Sequence, residues 1–209
     1  MPGEAPSAVS PDATLFPVFL KLAGVSVLVV GGGPVATSKL DGLRTAGADI
    51  TVVAPEVTDE IRAMGVRLLE RPFDEADLDH AWFVVAAATP EVNAHVSRAA
   101  AARRLFVNAV DDPPNATAYL GGVVRRSGAT IAISTNGRAP AIAGLLREGL
   151  DELLPPDLDA WFRESDRLKQ HWRGTGVPMA ERRPQLVEVL AGRYCGLMPK
   201  CPPRREGPA

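Results

Sequence analysis

Apolar and polar positions are arranged in alternating blocks along the first half of this chain. Short, β-branched apolar runs near 25–31, 49–54, 66–70, 81–87 and 105–109 have strand length. Between them, apolar residues recur at helical spacing near 34–46, 57–64 and 91–103, with a short turn or helix around 74–79. Strands that alternate with helices pack as a parallel sheet covered on both faces, so the expected class is α/β with a Rossmann-type sheet.

The texture changes after Asp112-Pro-Pro114. Tyr119–Arg125 and Ala129–Ser134 are strand-like runs joined by Arg126-Ser-Gly128, which predicts a hairpin. An amphipathic helix is expected over Pro140–Leu153, with Pro140 in its first turn. Pro155-Pro156 interrupts the pattern, and further helix is expected over 157–172 and 178–193. The resulting division is a disordered leader (1–14), a nucleotide-binding Rossmann-type domain (15–114), a small β-hairpin/helix dimerisation module (115–154), a helical module (155–197) and a disordered tail (198–209). A hairpin and one helix cannot bury a core of their own size, so the middle module is expected to complete its core against a second copy of the chain.

Composition narrows the classes. The chain has 209 residues, 46% apolar and 23% charged, as expected of a packed globular protein. A net charge of −2 gives no footprint for nucleic acid. No apolar run reaches the ~20 residues of a membrane span. Met1–Thr14 is rich in Pro, Ala and Ser and lacks the basic start and apolar stretch of a signal peptide. Cys195 and Cys201 stand alone near a Pro/Arg-rich end, which excludes a disulfide framework and favours a cytoplasmic setting. His80, His95 and His171 lie far apart without metal-ligand spacing, so no resident metal is expected.

The first strand runs directly into Gly31-Gly-Gly-Pro-Val-Ala36, a Gly-x-Gly-x-x-Ala turn that opens a helix. A second strand, Asp49–Ala54, follows at the spacing of a βαβ unit. This is the context of a dinucleotide site. Gly31 permits the tight turn, Gly33 lets the backbone approach a pyrophosphate, and Ala36 allows close helix–strand packing. The helix N-terminus then offers N–H groups and a positive dipole end to the phosphates. The second strand ends in Pro55-Glu56, with no Arg or Lys before Arg62, which favours NAD over NADP.

Asp74 and Asp111 fall at strand-to-loop transitions, the edge where such sheets gather ligands. Asp111 can point into the cofactor crevice as a catalytic carboxylate, whereas Asp112 is expected to turn away and serve the Pro-Pro turn. The alternative is that both are ordinary turn formers. Ser134, Thr135, Asn136 and Arg138 form a second polar loop ahead of a helix. They could hold carboxylates of an acidic substrate, or simply cap that helix.

Phe16-Pro-Val-Phe-Leu20, the Gly31–Ala36 turn, Val52-Val-Ala-Pro-Glu56, Ala86-Ala-Ala-Thr89, Asn108-Ala-Val-Asp-Asp112 and Ile131–Gly137 occur in that order. The combination resembles the precorrin-2 dehydrogenase / sirohydrochlorin ferrochelatase family, the N-terminal module of sirohaem synthases. The likeness runs from about Leu15 to Leu154. It implies NAD-dependent oxidation of precorrin-2 to sirohydrochlorin, with Fe²⁺ insertion to sirohaem in many members and iron as a transient substrate. It places the essential aspartate on Asp111 and cofactor contacts on Pro34, Val35, Pro55 and Glu56, with Thr89 closing the Ala-Ala-Ala-Thr motif. It also implies a homodimer. Thr37-Ser38, Pro90-Glu91 and Ala118–Gly121 depart from the family pattern. A tetrapyrrole with many carboxylates calls for scattered cations, for which Lys39, Arg125, Arg126, Arg138 and Arg147 are candidates. A non-catalytic NAD-sensing regulatory domain would need the glycine turn but neither Asp111 nor the 131–140 loop.

Overall fold

Five of the apolar runs become parallel strands of one sheet: β1 (Ser26–Val30), β2 (Asp49–Val53), β3 (Arg67–Leu69), β4 (Phe83–Ala86) and β5 (Phe106–Ala109). The computed structural model describes residues 15–137 and 139–194, without the side chains of 192–194. The expected leader and tail, both cysteines and Arg138 lie outside the described residues. Strand order is β3-β2-β1-β4-β5, so the chain winds outward from β1 and then restarts on its other side. The helices that follow β1 and β4 pack on opposite faces of the sheet at that reversal, which is where doubly wound sheets hold ligands.

Alternation along each strand divides the apolar side chains between two cores, because successive side chains point to opposite faces. Val27, Val29, Ile50, Val52, Phe83 and Val85 meet Ala36, Leu40 and Leu43 of α1 (Pro34–Thr45) and Ile61 of α2 (Asp59–Ala63). Leu28, Val30, Val53, Val84, Ala86 and Val107 meet Val96, Ala99 and Ala100 of α3 (Pro90–Ala102). The expected short element near 74–79 is a 3-10 turn, Glu75–Leu78. The α/β class and the parallel sheet are as expected.

These elements belong to one compact unit, residues up to Leu120 together with Ser134–Ala139. The other unit takes Gly121–Ile133 and the chain from Pro140 onward. Within it, β6 (Gly122–Arg126) and β7 (Ala129–Ile133) pair antiparallel about Ser127-Gly128, both at positive φ. The strand expected from Tyr119 begins only at Gly122, because the N–H groups of Thr117 and Ala118 both bond the Val107 carbonyl and tie that stretch to β5. Helices α4 (Pro140–Leu153), α5 (Leu158–Thr175) and α6 (Met179–Tyr194) follow. Leu158, Trp161 and Leu190 form their core, and Trp172 Nε1 donates to Gln185 Oε1 at 2.7 Å. Ile142, Leu145 and Leu146 of α4 remain exposed. No described helix is long and apolar enough to cross a membrane.

Candidate functional site

The three glycines after β1 do different things. Gly31 stands at φ +125°, and a Cβ there would lie 2.2 Å from the Ala87 carbonyl oxygen. A Cβ on Gly32 would lie 2.0 Å from the Glu56 carbonyl oxygen, and the Gly32 carbonyl accepts from Thr58 N–H at 2.9 Å. These two positions therefore draw the ends of β1, β2 and β4 together, backbone against backbone. Gly33 is the N-cap of α1, and nothing lies within 4 Å of where its Cβ would stand. No side chain caps α1, and its first turn carries no acidic residue. Its N–H groups and positive end are left for an anion, which fits a pyrophosphate. Gly32 was not singled out by sequence reasoning; the run of three glycines was the available signal.

Two cavities open on this edge of the sheet. One, of about 570 Å³, is lined by the glycine turn, by Val53–Glu56 after β2, by Pro72 and Phe73, and by Ala87–Thr89, Val92 and His95 beyond β4. The other, of about 410 Å³, is lined by Val35, Ala87, Ala88, Pro90, Asn93, Val110, Asp111, Asp112 and Asn115. Ala87 and Ala88 belong to both, so one stretch of backbone is their common wall. The fold thus brings Gly31, Gly33, Pro55, Glu56 and Thr89 to the first cavity, and Val35 and Asp111 to the second. Pro34 occupies the first helical position of α1 between them in sequence.

Asp111 sits two residues beyond β5 at φ +55°, in the left-handed region, and is exposed. Asp112 lines the same cavity, but its Oδ2 accepts from Asn115 Nδ2 at 2.8 Å. That bond ties Asp112 to the Pro113–Asn115 turn, the service expected of it, without turning it out of the cavity. Asp74 is committed to local structure: it caps the 3-10 turn by accepting from Ala76 N–H at 2.8 Å, and it lines neither cavity.

Glu91's own backbone N–H first, and then the Thr89 hydroxyl, hold the Glu91 carboxyl below its ordinary range. Ser134, Thr135 and Asn136 line neither cavity. They form a tight turn in which Asn136 N–H donates to Ser134 Oγ at 3.2 Å and Asn136 takes φ +54°. A Cβ on the next residue, Gly137, would meet Pro113 and Tyr119 side-chain atoms at 3.2 Å, so this turn packs beside the segment that follows Asp111. Two of the candidate cations are already engaged: Arg126 with Asp151 and the Leu154 carbonyl, and Arg147 with Glu148.

Sequence reasoning missed Asn93 and set His95 aside. Asn93 is 3% exposed, and its Oδ1 accepts from Ala88 N–H at 3.0 Å. His95 lies 3.1 Å from Glu75 and edge-on to Phe73. Their roles follow from partners distant in sequence, which no local pattern announces.

Comparison with known proteins agrees with this geometry. A family model described as "Putative NAD(P)-binding" matches residues 18–122. The chain is 39% identical over 172 residues to the siroheme synthase of Salmonella arizonae, covering 80% of this chain and 38% of that protein. It is 40% identical over 172 residues to siroheme synthase 3 of Aeromonas hydrophila, covering 80% and 37%. The chain thus spans under two-fifths of the length of these relatives. Among solved structures it is similar to "SirC, precorrin-2 dehydrogenase", with a TM-score of 0.68 and 28% identity over 88% of this chain and 94% of that one. The family resemblance drawn from the sequence motifs is borne out by these similarities.

Proposed function

The chain belongs to this NAD(P)-binding family, and from that premise we propose that it is an NAD-dependent precorrin-2 dehydrogenase that forms sirohydrochlorin in siroheme biosynthesis. The observation that carries the reading is the shared wall. A groove with the features of a dinucleotide site adjoins, across Ala87–Ala88, a second cavity that holds a carboxylate. A hydride donor and a hydride acceptor must meet at such a boundary.

When bound, NAD supplies the hydride acceptor. The protein's part is to bind, orient and manage one proton. Gly31 and Gly33 with the α1 N-terminus receive the diphosphate, with Pro34 and Val35 shaping the turn beside it. Pro55 and Glu56 meet the ribose, Glu56 as an acceptor for its hydroxyls, and Thr89 closes the groove at the head of α3. As a C–H bond of the macrocycle gives up its hydride, a second hydrogen leaves as a proton, and Asp111 is the carboxylate placed to accept it. Ser134, Thr135, Asn136 and Arg138 are assigned to the substrate's carboxylates. The exposed apolar face of α4 and the hairpin in the 115–154 module are assigned to a second copy of the chain, giving a homodimer. A cytoplasmic setting belongs to the same proposal.

The test is direct. Purified protein mixed with precorrin-2 and NAD should generate the sirohydrochlorin absorption together with NADH. Added Fe²⁺ tests whether iron is then inserted. Tight NAD binding without any turnover would favour the nucleotide-sensing alternative.

A further inference from the structure

A dinucleotide groove distinguishes NAD from NADP by what stands at its ribose end, where a 2′-phosphate needs a cation. Here Glu56 lines the groove beyond β2, and two arginines outside its lining are connected to it through sequence and hydrogen bonding. Arg62 lies in α2, whose N-cap residue Thr58 donates its N–H to Gly32 of the turn. Arg71 immediately precedes Pro72 and Phe73 of the groove wall.

Both guanidinium forks are closed by carboxylates. Arg62 gives Nη1 and Nη2 to the two oxygens of Glu70, each at 2.6 Å. Arg71 gives Nη1 and Nη2 to Asp77 at 2.9 and 2.5 Å. Glu70 itself follows β3 directly. The carbonyl of its neighbour Leu69 accepts from the N–H of Ala54, a groove residue, at 3.2 Å. A planar guanidinium with Nη1 and Nη2 on one carboxylate has its end-on pair of donors taken and its charge compensated, which leaves only the Nε edge for a phosphate.

We propose that Glu70 is a cofactor-specificity residue: by occupying the fork of Arg62 it withholds that cation from a 2′-phosphate, and so keeps the groove for NAD. The inference rests on the nucleotide reading of the groove given above. The hydrogen bond between the two side chains also pushes Arg62 up and holds the Glu70 carboxyl below its ordinary range, so both stay charged at neutral pH. Asp77 does the same to Arg71 but also accepts from the Asp74 N–H, so replacing it would disturb a turn. Glu70 is the cleaner position, since exposed ion pairs contribute little to folding.

The experiment measures calorimetric affinities for NAD and NADP on the full chain, comparing wild type with Glu70→Gln, Glu70→Ala, Arg62→Ala and Glu70→Ala/Arg62→Ala. Wild type should favour NAD. Each Glu70 variant should tighten NADP by about tenfold, the effect of one gained charge-assisted contact, with NAD affinity unchanged. The gain should shrink as salt is raised, and the double variant should lose it. An NADP-to-NAD ratio that Glu70 variants leave unmoved, or a gain that survives without Arg62, overturns the proposal while NAD binding still stands. A wild-type protein that binds neither nucleotide overturns the groove reading and this inference together.

Discussion

Asn93 Oδ1 accepts the backbone N–H of Ala88 at 3.0 Å, and that contact joins helix α3 to the wall shared by the two cavities. Ala87, beside it, is the residue against which Gly31 packs. Position therefore passes from a buried side chain on α3 to the loop and then to the glycine turn. Asn93→Leu keeps the branched outline, with two methyls in place of the amide oxygen and nitrogen, and removes the acceptor. Leaving a half-buried N–H unpaired costs about 1–3 kcal/mol, to be read from chemical denaturation. NAD affinity should fall by roughly tenfold as the wall loses its register, about 1.4 kcal/mol. A folded variant with wild-type NAD affinity would show that the loop holds its place without Asn93.

The glycine turn separates packing from binding, one residue apart. Gly32→Ala sets a Cβ 2.0 Å from the Glu56 carbonyl oxygen and 2.9 Å from Val57 Cα, both backbone. Backbone cannot swing aside as a side chain does, so a loss of about 3 kcal/mol or more is expected. Gly33→Ala meets nothing within 4 Å and should remain folded with close to wild-type stability. Gly33→Asp should also fold, yet it places a negative side chain at the uncapped end of α1 and should abolish NAD binding. Thermal denaturation and calorimetry on the three variants check both halves. If Gly33→Asp binds NAD normally, the turn is only structural.

Asp77 gives a pH signature. Its carboxyl is held below the ordinary range, first by the Arg71 hydrogen bonds and also by the Asp74 N–H. A depressed folded pKa means stability that is present above the unfolded value, about 3.9, and lost as pH falls through the folded one. Asp77→Asn should therefore cost about 1 kcal/mol at neutral pH, where Arg71 is half exposed and the pair partly screened. The difference from wild type should close as pH drops below about 4. Denaturant midpoints at pH 7, 5 and 3 test the sign. A deficit that persists undiminished at pH 3 would assign the effect to the turn alone.

Much of this architecture was legible because it is local. Each strand of the sheet announced itself as a short β-branched run, and their alternation with helices announced a sheet covered on both faces, on which the structure sets Val27 and Leu28 in opposite cores. Gly31 and Gly33 were legible because the demands of a strand–turn–helix act within a few residues. Gly32 and Asn93 were not, since what fixes them is a carbonyl at position 56 and an N–H in a loop built from another strand. The start of β6 was misplaced for the same reason, the competing partner of Thr117 and Ala118 being Val107. The Glu70–Arg62 pair spans α2 and β3 and has no local pattern at all. Ser134, Thr135 and Asn136 have the composition of an anion loop, yet they line neither cavity of the unit they belong to.

Asp111 is the last and most consequential position. It lines the cavity that shares a wall with the nucleotide groove, and among the described residues nothing like the Asn115 bond of Asp112 ties its side chain to the turn. Its backbone, at φ +55°, is in the left-handed region that Asn and Asp tolerate best. Asp111→Asn is therefore the informative replacement. It keeps the size and the backbone preference while removing the carboxylate, whereas Asp111→Ala adds about 1–2 kcal/mol of strain at that φ. Asp111→Asn should fold and bind NAD as wild type does. Its turnover of precorrin-2 should fall by about 10²–10⁴, the usual loss when one positioned general base is removed. Asp112→Ala is the control: it breaks the bond to Asn115 and should lower stability more than turnover. Single-turnover absorbance with saturating NAD measures both. If Asp111→Asn converts precorrin-2 at close to the wild-type rate, Asp111 is a turn former, and the base has to be sought next in the Ser134–Arg138 loop.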